Sequence, residues 1–217
     1  MDTSDLQGPM AAPASGAAPR SMVILLHGYG SNGDDLIGLV PYWRNALPDT
    51  VFLSPNAPQP CPGAPGGRQW WPLTSFSPEA RAAGVREAAP PLNAYIDAQL
   101  AAHRLTEDRL ALVGFSQGTM VALHVGPRRA RLAGIVGYSG MLADPDNLAA
   151  APHGRPPVLL VHGDADPVVP FAAMHQAEAA LGSLGFEVTS HVSQGLKHSI
   201  DEAGLRLGGQ FLSRVLA

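Results

Sequence analysis

Apolar residues in this chain fall in short continuous runs. Ser21 to Leu26, Val51 to Ser54, Leu110 to Val113, Ala133 to Tyr138 and Val158 to Val161 are each four to six residues long. Runs of that length, bounded by Gly or polar residues, suit strands buried on both faces of a parallel sheet. Phe186 to Val192 alternates in polarity, as a strand does. Between the runs the spacing turns helical. Leu92, Tyr95, Ile96 and Leu100 form one stripe within Pro78 to His103, where Pro90 and Pro91 predict a kink or break. Helices are also expected from near Asp34, over Thr119 to Val125, over Phe171 to Leu184 and over Asp201 to Ala217. Strands alternating with helices define the α/β class: a mostly parallel central sheet with helices on both faces. Right-handed crossovers then bring every strand's C-terminal end to one edge of that sheet.

The segments outside this alternation divide the chain. Residues 1–20 are rich in Ala, Pro and Gly and read as partly irregular, with a short edge strand near Leu6. Residues 21–217 read as one domain. Pro55 to Ser77 is a long loop holding six prolines and the pair Trp70-Trp71. A loop of that length in a compact domain usually has a task. The tryptophans suit either an aromatic wall for a substrate or a plug that pins the loop to the body. Eighteen residues separate Ser139 from the run at Val158, too few for a large cap domain. An open site follows.

The chemistry concentrates at the strand ends. Gly114-Phe115-Ser116-Gln117-Gly118 lies between an expected strand and an expected helix, the setting in which G-x-S-x-G is informative. A sharp strand-to-helix turn lifts the Ser116 hydroxyl out of the sheet, and the glycines leave room where backbones crowd. The free N–H groups at the helix start face the place where an oxyanion forms. His27-Gly28-Tyr29-Gly30 follows the first long run, where α/β-hydrolases place a second oxyanion donor. The backbone N–H groups of Tyr29 and Gln117 are the candidates; His27 reads as a brace for the loop. A serine needs a base, and the base needs a carboxylate to orient it. His198 supplies the base, from a small-residue loop after the last strand. The acid is open between Asp164 and Asp166, with Asp144 and Asp146 on the preceding loop. The order serine, acid, histidine is that of the α/β-hydrolases. His124 reads as a packed helix residue, and Ser139, within Gly137-Tyr138-Ser139-Gly140, as a cap or turn residue.

Composition narrows the function classes. At 217 residues and 46% hydrophobic, the chain can bury a substantial core. A net charge of −4 without a Lys/Arg cluster gives no footprint for nucleic acid. No apolar run is long enough to span a bilayer. The N-terminus lacks the basic start and apolar centre of a secretory signal, so a cytoplasmic location is expected. The single cysteine, Cys61, excludes an intrachain disulfide and reads as an unpaired loop thiol. No HExxH-type spacing marks a metal site, and neither metal nor cofactor is expected.

Taken together, Leu26-His27-Gly28-Tyr29-Gly30 with Asp34-Asp35-Leu36, the Gly114 to Gly118 elbow, His162-Gly163-Asp164-Ala165-Asp166-Pro167-Val168-Val169-Pro170 and Gly195-Leu196-Lys197-His198-Ser199 resemble the phospholipase/carboxylesterase family of α/β-hydrolases, which includes acyl-protein thioesterases. These motifs extend over nearly the whole chain in the right order. The resemblance implies an α/β-hydrolase fold and a catalytic triad of Ser116, His198 and, as its acid, Asp166, with Asp164 bracing the loop. It also implies the Tyr29 and Gln117 oxyanion hole and a Trp-containing segment flanking the site. The expected activity is a serine carboxylesterase acting on small-molecule esters of short to medium acyl length. An acyl-protein thioesterase or lysophospholipase is the alternative, and a non-catalytic binding module on the same scaffold a more distant one. A homodimer is compatible with the resemblance. Since the base must be neutral, activity is expected to fall on acidification near the ordinary histidine value of about 6.5.

Overall fold

All six residues from Ser21 to Leu26 are buried, as a strand at the centre of a two-sided core must be. A computed structural model of the chain describes residues 6–150 and 152–217. In chain order it contains β1 (Met10–Ala11), β2 (Ser21–Leu26), α1 (Gly33–Leu36), α2 (Val40–Trp43), β3 (Thr50–Leu53), β4 (Gln59–Pro60), β5 (Arg68–Gln69), α3 (Pro78–His103), β6 (Leu110–Phe115), α4 (Gln117–Val125), β7 (Gly134–Tyr138), α5 (Pro145–Ala150), β8 (Val158–Gly163), α6 (Ala172–Ser183), β9 (Val188–Ser193) and α7 (Glu202–Val215). Seven strands form one sheet in the order β1-β3-β2-β6-β7-β8-β9. Only β1 runs antiparallel to its neighbour; the other pairings are parallel.

The continuous apolar runs sort by alternation once they lie in this sheet. Met22, Ile24, Leu26, Leu110, Leu112, Val158 and Leu160 face a core shared with Leu92 and Ile96 of α3, Val121 of α4 and Leu181 of α6. Val23, Leu25, Ala111, Val113, Leu159 and Val161 face the opposite core, with Trp43 of α2 and Phe211 and Leu212 of α7. Each large side chain fully buried this way contributes roughly 1.5–3 kcal/mol. Burial on both faces leaves no polar side to a central strand, which is why the runs are unbroken.

Four expectations need correction. The edge strand lies at Met10–Ala11, paired with β3; Leu6 is buried but not in a strand. The helix from near Asp34 is split into α1, a 3-10 turn at Ile37–Leu39 and α2. The long Pro-rich loop contains a short hairpin, β4 with β5. Pro90 and Pro91 do not break α3, which runs 26 residues. Two prolines forfeit two backbone hydrogen bonds, but Pro91 is itself buried beside Ala88, Leu92, Tyr95 and Ile96. The apolar stripe holds the helix against α4, where packing outweighs propensity. Ser77 caps its start, accepting from the Ala80 N–H at 3.2 Å, with Pro78 at the first helical position. Arg104 ends it in the left-handed conformation, φ 56°.

The candidate residues share one edge. Phe115 pairs in register with Tyr138, so Ser116 and Ser139 leave the sheet side by side. His27 follows β2, Asp164 and Asp166 follow β8, and His198 lies in the loop after β9.

Candidate active site

Ser116 stands between β6 and α4 with φ 54° and ψ −114°, a strained conformation for a residue with a side chain. The two glycines of the motif have steric reasons. A Cβ at Gly118 would lie 1.9 Å from the Leu26 carbonyl oxygen, and one at Gly114 would lie 2.4 Å from the Thr119 nitrogen. The turn therefore closes only with glycine at both places. The Ser116 N–H donates to the Tyr138 carbonyl at 2.9 Å, tying the elbow to β7.

The loop after β2 is set by His27. Its Nε2 accepts from the Ala57 N–H at 2.9 Å, so the ring proton is on Nδ1, which donates to the Gly28 carbonyl at 2.8 Å. The Ser31 N–H donates to the same carbonyl at 3.2 Å. A planar peptide with its oxygen held on one side presents its N–H on the other. That N–H belongs to Tyr29. Neither it nor the Gln117 N–H meets an acceptor among the described residues. Burial lowers the His27 pKa, against the opposing hydrogen bond to Gly28, which keeps the ring neutral and the tautomer fixed. His27 is thus a brace and not a proton carrier. The Tyr29 side chain is exposed at the rim.

The two aspartates after β8 differ in what they touch. His198 Nδ1 lies 2.7 Å from Asp166 Oδ2, and Asp166 Oδ1 accepts from the N–H groups of Val168 at 2.8 Å and Val169 at 3.0 Å. Burial pushes the Asp166 carboxyl up, but the bonds from His198, Val168 and Val169 and the charge of His198 outweigh it. The net pKa lies below the ordinary carboxylate value. Asp164 turns the other way and accepts from the Gly195 N–H at 2.6 Å, bracing the histidine loop. Phe115, next to the serine, lies against the His198 ring, with centroids 4.9 Å apart. This sets the imidazole beside the elbow. No hydrogen bond joins the Ser116 hydroxyl to the ring among the described residues. Such bonds often tighten only around a substrate.

The tryptophans are the plug and not the wall. Trp70 and Trp71 are 0% and 3% exposed, leaving almost no ring surface for a ligand. Trp70 Nε1 donates to the His27 carbonyl at 3.0 Å. The Gln117 side chain clasps the pair: its Oε1 accepts from the Trp70 N–H and its Nε2 donates to the Trp71 carbonyl, each at 2.9 Å. The physical reason is loop length. A Pro-rich excursion must be tied down by buried bulk and by satisfied backbone polar groups. This clasp by the Gln117 side chain has no sequence signal. His162, quoted in the motif after β8 but given no role there, lies four positions before Asp166; its Nε2 meets the Val169 carbonyl at 2.9 Å and lies 3.2 Å from Asp166 Oδ2. His124 is packed as expected; burial pushes its pKa down to about 4, and its Nδ1 has no hydrogen-bond partner. Cys61 is free and buried. Among the described residues, no three His, Cys, Asp or Glu side chains gather as a metal site would need. None of their helices is long and apolar enough to cross a membrane.

Comparison with known proteins identifies the family. The profile of the Phospholipase/Carboxylesterase family matches residues 11–216. The chain belongs to the phospholipase/carboxylesterase family. It is a serine hydrolase of the α/β-hydrolase fold. The chain is 30% identical to Acyl-protein thioesterase 1 of Schizosaccharomyces pombe over 211 residues, covering 92% of each chain. It is 27% identical to Esterase YpfH of Escherichia coli over 189 residues, 86% of this chain and 79% of that one. Among solved structures, esterase PE8 superposes with a TM-score of 0.93 at 44% identity, covering 97% of this chain and 99% of that one.

Proposed function

We propose that the protein is a carboxylesterase that works through Ser116, His198 and Asp166. The observation that carries this reading is the Asp166–His198 pair, 2.7 Å apart, beside an elbow whose serine holds a left-handed backbone. In the first half-reaction Ser116 Oγ attacks the ester carbonyl carbon as its proton passes to His198 Nε2. The carbonyl oxygen becomes an oxyanion that accepts from the Tyr29 and Gln117 N–H groups. The tetrahedral carbon then expels the alkoxide, which leaves as alcohol with the proton from Nε2. In the second half-reaction a water gives its proton to Nε2 and adds to the acyl carbon. The Ser116 oxygen departs and recovers that proton. Asp166 keeps the ring in the tautomer with Nδ1 protonated and offsets the imidazolium charge.

The preferred substrates in this reading are small esters of short to medium acyl length, hydrolysed by residues 21–217 acting as one domain. The 30% identity to a protein named as an acyl-protein thioesterase favours a second reading, a thioester substrate. One experiment serves both. Ser116→Ala should abolish hydrolysis of a short chromogenic ester while leaving the melting temperature near that of the parent. A folded Ser116→Ala enzyme with most of its rate would sink the mechanism. An acyl-length series of esters and matching thioesters then ranks the two substrates. We further propose a cytoplasmic location and a homodimer, which cell fractionation and analytical ultracentrifugation decide.

A further inference from the structure

Ser139 is the serine motif that this reaction leaves idle. It stands where β7 ends, as Ser116 stands where β6 ends, and both have left-handed backbone, φ 46° and 54°. For Ser116 the strain delivers a nucleophile. For Ser139 it delivers nothing to the surface, since the residue is 1% exposed. Glycine would take the same turn without the steric cost of a left-handed residue. What glycine lacks is the hydroxyl, and that hydroxyl has a definite task. Ser139 Oγ donates to the Ser199 carbonyl at 3.2 Å. Ser199 directly follows His198, and its own N–H donates to the Lys197 carbonyl at 2.8 Å. His198 therefore sits in the middle of a three-residue turn. The residue after it is held at its N–H by that turn and at its C=O by Ser139.

We propose that Ser139 is a positioning residue for the general base. Its hydroxyl anchors the backbone of the His198 turn to the end of β7, beside the elbow, so that the imidazole is presented to Ser116. Asp166 and Phe115 hold the ring itself; Asp164 holds the loop further back, at Gly195. Among the described residues, Ser139 alone ties the turn by a hydrogen bond to β7, the strand next to the nucleophile's own. This inference rests on the reading of His198 as base.

Ser139→Gly and Ser139→Ala, made in the full chain, test it, with kcat, KM and melting temperature measured on a short chromogenic ester. Both variants should lose about tenfold in kcat with KM unchanged, the loss that one neutral hydrogen bond represents. Ser139→Gly should melt at or above the parent temperature, because the strain goes with the side chain. A turn-forming role would leave Ser139→Gly fully active, and parental kcat in that variant overturns the proposal. If Ser139→Gly does not fold, Ser139→Ala is judged on the same two constants. Failure of both to fold also overturns it, because the hydroxyl would then hold the fold and not the base. Ser116→Ala separates this inference from the triad. An inactive Ser116→Ala beside a fully active Ser139→Gly removes only the role of Ser139, and an active, folded Ser116→Ala removes both.

Discussion

The nucleophile elbow and the histidine loop meet at one edge of the sheet but are held by different means. The elbow is built from backbone. It continues β6, donates to β7 and closes through two glycines with no space for a methyl group. Besides the backbone bond from the Ala165 N–H to the Leu196 carbonyl at 3.1 Å, the histidine loop is held by side chains: Asp166 on the ring, Phe115 on its face, Asp164 on Gly195 and Ser139 on Ser199. Backbone packing tolerates no change without loss of the fold. Side-chain tethers can be cut one at a time. The two regions should therefore fail differently, the first in stability and the second in rate.

The largest effect should come from the ring tether. Asp166→Asn puts an amide where a carboxylate accepts the Nδ1 proton and favours the wrong tautomer. We expect kcat to fall about 10³–10⁴-fold, with a melting temperature close to the parent's. Steady-state kinetics beside a thermal melt check this, and a loss of less than tenfold would remove Asp166 from the triad. Next comes the backbone region. Gly118→Ala forces a methyl group to 1.9 Å from the Leu26 carbonyl oxygen. The cost should be about 3 kcal/mol or more, read by denaturant unfolding. A stable, inactive Gly118→Ala protein would contradict the division between the regions.

The smallest effect concerns pH and the helix that carries the elbow. His124 on α4 is pushed down to about 4 by burial. The unfolded chain takes up a proton as pH falls through about 6.5, whereas the folded chain takes it up only near 4. Between those values the unfolded state binds more protons, so acid destabilises the fold. His27, lowered by burial, acts in the same direction. Asp166, whose carboxyl is held below its ordinary value, adds to the loss only at lower pH, as it protonates. His124→Gln should flatten the decline of melting temperature between pH 6.5 and about 4. An unchanged slope would show that His124 is not a source of the acid sensitivity.

Much of this was legible in the residues. The strands came from unbroken apolar runs, which only a two-sided core demands. The elbow came from Gly-x-Ser-x-Gly in its strand-to-helix setting. The continuity of α3 was not legible, because Pro90 and Pro91 argue locally for a break and only packing against α4 overrides them. Nor was the fate of Trp70 and Trp71. A tryptophan in a loop fits a wall or a plug equally well until the Gln117 side chain, 46 and 47 residues away, is seen clasping both.

Sequence therefore determined what local chemistry can encode: the alternation of strands and helices, the edge where they deliver polar loops, and the turns that need glycine. Tertiary structure decided the pairings. The family resemblance pointed to Asp166 and left Asp164 to the loop, but the contact of Asp166 with His198, the orienting of the Tyr29 peptide by His27 and the reach of Ser139 across 60 residues to Ser199 all depend on strand register and crossover geometry. Such contacts join groups whose identities are common and whose separations along the chain carry no periodic signal. Their specificity arises only when the sheet brings the strand ends side by side.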